Sequence, residues 1–165
     1  MLSILFICTA NRFRSPIAAI YFARSVVRNG DDSHISVSSA GTWTTYGQPV
    51  TPEALTQAER YSLNLSLHKS RPITKEILAQ ADLILVMENN QKEALHQEFP
   101  IFADRICLLT EVVNGKPDDV PDPYVTEEDP AIIAAEIIAL IDHGYERIVQ
   151  FALRSKNKNK PDAQY

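Results

Sequence analysis

Two nearly unbroken apolar runs, LSILFI at residues 2–7 and DLILVM at 82–87, constrain the fold more than any other feature of the chain. A strand with one wet face alternates apolar and polar residues, whereas a run that is apolar almost throughout is buried on both faces. Sheets of that kind are parallel and roofed by helices. Helical patterns do fall between the strands. Strands are predicted at 2–7, 34–38, 82–87 and 105–110. Helices are predicted at 16–28, 52–62, 74–80 and 89–98, and a last one starts at Asp129-Pro130 with Ile133, Ile137, Leu140, Ile141 and Ile148 on one face. Strand and helix in alternation imply right-handed crossovers and a three-layer α/β/α domain around a four-stranded parallel sheet. Ser15 reads as the N-cap of the first helix with Pro16 at N1, and Gly144 reads as a bend in the last. The domain is expected to span 1–153, with a polar, frayed tail at 154–165.

Composition narrows the class of protein. With 45% hydrophobic and 22% charged residues the chain is ordinary for a globular domain, and its net charge of −5 argues against nucleic acid or an anionic membrane as partner. Two cysteines, Cys8 and Cys107, are too few for a disulfide scaffold. The opening MLSILFI lacks the basic residues of a signal peptide, and no apolar run reaches the length of a membrane span. A cytoplasmic monomer is expected. No Cys/His/Asp cluster has metal-ligand spacing, so neither a metal nor another cofactor is expected.

The chemistry concentrates in ILFICTANRFRSP, residues 4–16. Cys8 ends the first strand, and in parallel sheets ligands bind beyond the carboxyl ends of the strands. Residues 8–15 then lead straight into a helix N-terminus, whose unpaired N–H groups and positive dipole end make an anion site. Arg14 adds a planar fork of donors suited to two phosphate oxygens. The same field favours a thiolate over a thiol. Singly, Cys8 reads as a small buried hydrophobe, Arg14 as a surface charge and Ser15 as a cap. Together, Cys8 offers a nucleophile, and Thr9, Ala10, Asn11, Arg12, Phe13 and Arg14 a cradle, the pair that phosphoryl transfer to sulfur needs.

Cys-x5-Arg-Ser-Pro with VSSAGT (37–42), LHKSRPIT (67–74), ADLILVMENNQ (81–91) and VPDPYV (120–125) resembles the low-molecular-weight protein tyrosine phosphatases, in order and spacing, over about residues 2–151. The resemblance implies the phosphotyrosine phosphatase I-like fold and hydrolysis of phosphotyrosine through a cysteinyl phosphate. It implies Cys8 as nucleophile, Arg14 as phosphate clamp and Ser15 as the serine that tunes the thiolate. Asn11 matches a loop asparagine in a strained conformation, held by Ser39 and His68, and Asn tolerates positive φ. Asp122 matches the general acid, with Asp118 and Asp119 as weaker rivals, and Tyr124 matches an aromatic wall of the cleft. The partner implied is a phosphotyrosine-bearing protein or peptide.

Departures from the family's pattern fall on the rim. Ala10 stands where glycine is usual, Phe13 where a second, protective cysteine is common, Arg12 at a substrate-choosing place, and Val125 where a second aromatic is frequent. Arg12 is expected either to pair with Glu88 or Asp122 or to face the cleft, where Trp43 and Tyr46 are further candidates. Cys107 reads as core, His34 and His96 as exposed, and His143 as a residue of the last helix. Two other readings stay open. One is an arsenate reductase of the same fold, which needs a resolving cysteine and has only Cys107 to offer. The other is a relic that binds phosphate without turnover.

Overall fold

The computed structural model describes residues 1–159. Strands β1 (Leu2–Cys8), β2 (Ile35–Gly41), β3 (Leu83–Val86) and β4 (Ile106–Leu108) form one sheet in the order β2-β1-β3-β4, every pairing parallel. Between and after them come α1 (Arg14–Arg28), α2 (Pro52–Arg60), α3 (Lys75–Gln80), α4 (Asn89–Glu98), α5 (Leu109–Asn114), α6 (Pro123–Thr126) and α7 (Pro130–Lys158). The apolar runs are buried on both faces, as their pattern requires. Ile4, Phe6 and Cys8 of β1, with Leu83 and Leu85 of β3, pack against Ile17 and Phe22 of α1 and Ile133, Ile137 and Ile141 of α7. Leu5, Ile7, Ile84 and Val86 point the other way, onto Leu78 of α3, Leu95 of α4 and Phe102. Among the described residues no helix is long and apolar enough to cross a membrane.

Several boundaries differ from the sequence expectation, each for a local reason. Ser15 is not an N-cap. Helix α1 starts two residues earlier than predicted, at Arg14, and Phe13 holds the cap position with no side-chain cap. Pro16 therefore lies inside the first turn, where a missing N–H leaves no bond unmade. Strand β2 runs past its predicted end at residue 38, through Ser-Ala-Gly, because it pairs with β1 as far as Cys8↔Gly41. Strand β4 stops at Leu108, since Leu109–Asn114 form a helix that ends on Gly115 at φ 74°. Gly144 does not interrupt α7. It marks the closest approach of α5, where a Cβ would stand 2.3 Å from Val113 Cγ2. Helix α7 also runs past residue 153 to Lys158, into the stretch expected to fray, while 160–165 lie outside the described residues.

Candidate active site

The sheet order reverses beside β1, and the loop that leaves β1 there carries the site. Its carbonyls are tied to the scaffold: Cys8 O accepts from Thr42 N (2.9 Å), Thr9 O from Trp43 N (3.0 Å) and Arg12 O from Thr51 N (3.0 Å). Its N–H groups are not. From Thr9 to Ser15 no backbone N–H donates to any protein acceptor among the described residues. Polar groups in this number stay unpaired in a folded chain only where solvent or a ligand meets them. Seven such N–H groups at a helix start are suited to receiving an anion. Gly41 permits the approach of β2, because a Cβ there would lie 2.6 Å from Thr9 O.

Asn11 fixes the loop's shape. It is fully buried with φ 56°, a left-handed conformation that asparagine adopts more readily than other side chains. Every polar atom of its side chain is used. Nδ2 donates to Ser15 Oγ and to Ser39 Oγ (both 2.9 Å), and Oδ1 accepts from Arg71 N (3.0 Å). Its carbonyl is 2.8 Å from His68 Nε2. A carbonyl only accepts, so that ring nitrogen carries the proton. Burial holds the His68 pKa below the ordinary histidine value, with the Arg71 charge acting the same way and the Asn11 bond opposing. The expected pairing of Asn11 with Ser39 and His68 is present, and Arg71 is a third support that the sequence did not single out.

Ser15 turns inward instead of capping. Its hydroxyl already accepts from Asn11, so its own proton has two acceptors within reach, Cys8 Sγ at 3.0 Å and, more distant, Ala40 O at 3.5 Å. Arg14, only 2% exposed, begins α1 and reaches across the loop. Nη1 donates to Glu88 and to Val120 O (2.9 Å), and Nη2 lies 3.3 Å from Asp122 Oδ2. These anchors leave Nε, and the rest of Nη2, to meet an anion edge-on. Asp122 is held in turn by Tyr124 N, which donates to Oδ1 (3.0 Å) at the N-cap of α6. Asp119 has a structural role, accepting from Asn89 N (2.7 Å).

A cavity of about 320 Å³ opens above Cys8, bounded by Ala10, Arg12, Phe13, Arg14, Thr51, Asp122 and Tyr124. Phe13 is buried and meets Tyr124 edge to face, with ring centroids 6.0 Å apart at 83°. The Tyr124 hydroxyl lies 2.7 Å from Thr51 Oγ1 and 2.8 Å from Glu53 Oε2. A carboxylate only accepts, so the phenol proton goes to Glu53, and the phenol's pKa is pushed up to about 12, chiefly by burial. Arg12 pairs with neither Glu88 nor Asp122. Glu88 belongs to Arg14, and Arg12 Nε donates to Pro49 O (2.7 Å). Arg12 thereby forms the partition between this cavity and a neighbouring one of about 440 Å³ that Trp43 lines. Tyr46 lines neither and is 78% exposed.

The remaining candidates fall away from the site. Cys107 is half-buried on β4, not fully in the core, and burial raises its thiol pKa. His96 is half-buried against Ile106 O (3.1 Å), whereas His34 and His143 are exposed, the latter on α7. No three His, Cys, Asp or Glu side chains cluster as a metal site among the described residues. Sequence reasoning missed Glu88 as the anchor of Arg14. It also missed Gln91, whose Oε1 accepts from Met87 N and Glu88 N (3.0 and 3.1 Å) while Nε2 donates to Thr9 Oγ1 (3.1 Å). A carboxylate just past a buried strand, with Gln three residues on, was the available signal.

The chain is similar to several phosphatases. A protein-arginine-phosphatase of Bacillus subtilis (strain 168) is 33% identical over 123 residues, covering 74% of this chain and 80% of its own. A probable low molecular weight protein-tyrosine-phosphatase of Ralstonia nicotianae is 30% identical over 122 residues, covering 74% and 78%. The crystal structure of a low molecular weight protein tyrosine phosphatase from T. tengcongensis superposes with a TM-score of 0.78 at 30% identity, over 91% of this chain and 99% of that one. Residues 3–159 match the low molecular weight phosphotyrosine protein phosphatase family, and the chain belongs to that family.

Proposed function

We propose that the chain is a cysteine-dependent protein tyrosine phosphatase. The run of unpaired N–H groups from Thr9 to Ser15, closed by Arg14 around Cys8 Sγ, carries the reading. Cys8 Sγ attacks phosphorus in line with the leaving oxygen. The loop N–H groups and the Arg14 fork hold the three equatorial oxygens, where charge gathers in the transition state. Asp122 gives its proton to the tyrosyl oxygen as the P–O bond breaks, a contribution of about 10²–10⁴ in rate. Cys8 leaves the step as a cysteinyl phosphate. A water then attacks phosphorus, Asp122 takes its proton, and sulfur departs with the Ser15 hydroxyl donating to it. Apart from the attacking water, the chain's own residues supply each group in this sequence.

Phe13 and Tyr124 favour an aryl ring, since together they give the cavity an aromatic edge. The arsenate-reductase reading lacks a resolving thiol. Cys107 is in register with Leu85 and so with Phe6, two strands over and two residues back from Cys8. Strand spacing puts the two Cα atoms about 12 Å apart, beyond the ~7 Å limit for a disulfide. A relic is disfavoured because Cys8, Arg14 and Asp122 border one cavity. We read the protein as a cytoplasmic monomer acting on phosphorylated proteins. The test is turnover of matched peptides bearing phosphotyrosine, phosphoserine or phosphoarginine. Phosphotyrosine should be hydrolysed well ahead of the others. Preference for phosphoarginine, the substrate in the name of the B. subtilis relative, would overturn the substrate class, and no turnover of any would restore the relic.

A further inference from the structure

A third pocket, open to solvent and of about 430 Å³, lies behind the phosphate loop and shares no lining residue with the cavity above Cys8. Its floor is apolar: Ala19, Ile20 and Ala23 lie on one face of α1, opposite Val37 of β2 and Leu65. Its rim is basic, with Lys69 and Arg71 beside His68. No acidic residue lines it, although the chain carries 21 acidic against 16 basic side chains. Neither Lys69 nor Arg71 has a carboxylate partner among the described residues. Cavities of ~300–1,000 Å³ with an apolar floor and a few polar groups are the usual form of a small-molecule site.

The cavity is wired to the loop through Arg71. Its Nε donates to Ser39 O (2.8 Å) and its backbone N to Asn11 Oδ1 (3.0 Å), while His68 holds Asn11 O. These groups fix the left-handed residue on which the cradle's shape depends. An anion on the outer edge of the Arg71 guanidinium leaves those bonds in place and immobilises their donor.

We propose that this cavity binds a small amphipathic carboxylate, its apolar body on the α1–β2 floor and its head on Lys69 and Arg71, and that its occupancy tightens phosphate binding at the loop around Cys8. Arg71 meets the loop on one side and the carboxylate on the other, so ordering its side chain once serves both ligands and each lowers that cost for the other. Linkage makes the effect reciprocal: whatever factor the carboxylate confers on phosphate, phosphate confers on the carboxylate. The site does not depend on the reaction proposed above, because both ligands are measured by binding alone.

Octanoate is a suitable probe, followed by amide nitrogen–proton correlation spectra, with inorganic phosphate as the loop ligand. Saturable shifts are expected at Ala19, Val37, Leu65 and Arg71. Lys69→Glu reverses one exposed charge and should weaken octanoate by about fivefold or more. Ala23→Leu fills the floor and should weaken it independently. Added salt should also weaken it. Saturating octanoate should lower the phosphate dissociation constant, and phosphate should lower that of octanoate by the same factor. Shifts centred on Ala10 and Phe13, no saturable shift, or equal affinity in the Lys69→Glu protein would overturn the site. Saturable binding with unchanged phosphate affinity would overturn the coupling.

Discussion

Replacing Asn11 by alanine tests whether the phosphate loop is a built object or an accident of the strand–helix junction. The side chain makes three hydrogen bonds, to Ser15, Ser39 and the Arg71 N–H, all buried or partly so. At about 1 kcal/mol each they contribute ~3 kcal/mol. Alanine at φ 56° adds ~1 kcal/mol of left-handed backbone cost. The substitution should therefore destabilise by about 4 kcal/mol, a large part of the ~5–15 kcal/mol typical of a domain. Ser39→Ala removes one of the three bonds and should cost ~1 kcal/mol. Because both act on the same bond, the double variant should be little worse than Asn11→Ala, with a coupling of ~1 kcal/mol. Urea unfolding with an unchanged m-value gives all three numbers, and inorganic phosphate as an inhibitor reports the cradle in the same proteins. A cost under ~1 kcal/mol for Asn11→Ala, or strict additivity with Ser39→Ala, would refute the reasoning.

Asp122→Asn should slow aryl phosphates with poor leaving groups far more than those with good ones, since only the former need the proton; equal slowing would remove Asp122 as the acid. Tyr124→Phe cuts the ties to Thr51 and Glu53 that steady α6, so it should reproduce a fainter version of the same leaving-group pattern, whereas a uniform rise in KM would assign the hydroxyl to substrate binding. Burial depresses the His68 pKa from 6.5, so its contribution to stability is complete above that pH and is lost as pH falls below it; His68→Gln should flatten the unfolding free energy on the acid side of that pH relative to wild type. Peroxide should inactivate the enzyme without forming a Cys8–Cys107 disulfide, given the ~12 Å separation, and detection of that bond by mass spectrometry would contradict the register.

How much of this was legible in the sequence depends on range. The strands were readable because burial on both faces leaves its mark residue by residue in LSILFI and LILV. Helix α5 was not, because six residues after a three-residue strand carry too little periodicity to separate from it; only Asn114-Gly115 marked its end. At the site, Cys8, Arg14 and Asn11 stood out because their spacing along the chain is itself the loop. Ser15 was half-read: a serine two residues into a helix looks like a cap, and only its neighbours in space turn the hydroxyl toward sulfur. Glu88, Gln91 and Arg71 were invisible as loop supports because each meets the loop across more than 50 residues of chain. Arg12 lines the cavity, one of its two expected positions, but pairs with neither of the carboxylates considered for it. The carboxylates considered for it sit on Arg14's side of the loop, and the carbonyl it binds, on Pro49, carries no side-chain signature at all.

The central claim is that phosphate passes through the sulfur of Cys8. Enzyme mixed with excess aryl phosphate and quenched during turnover in alkaline denaturant should show, by phosphorus NMR and peptide mass mapping, one phosphoryl group on sulfur in the peptide holding Cys8. The adduct should accumulate further in the Asp122→Asn protein with a good leaving group, because its hydrolysis then lacks a base. Turnover at full rate with no phosphorylated enzyme, or with the phosphoryl group on another residue, would contradict the account.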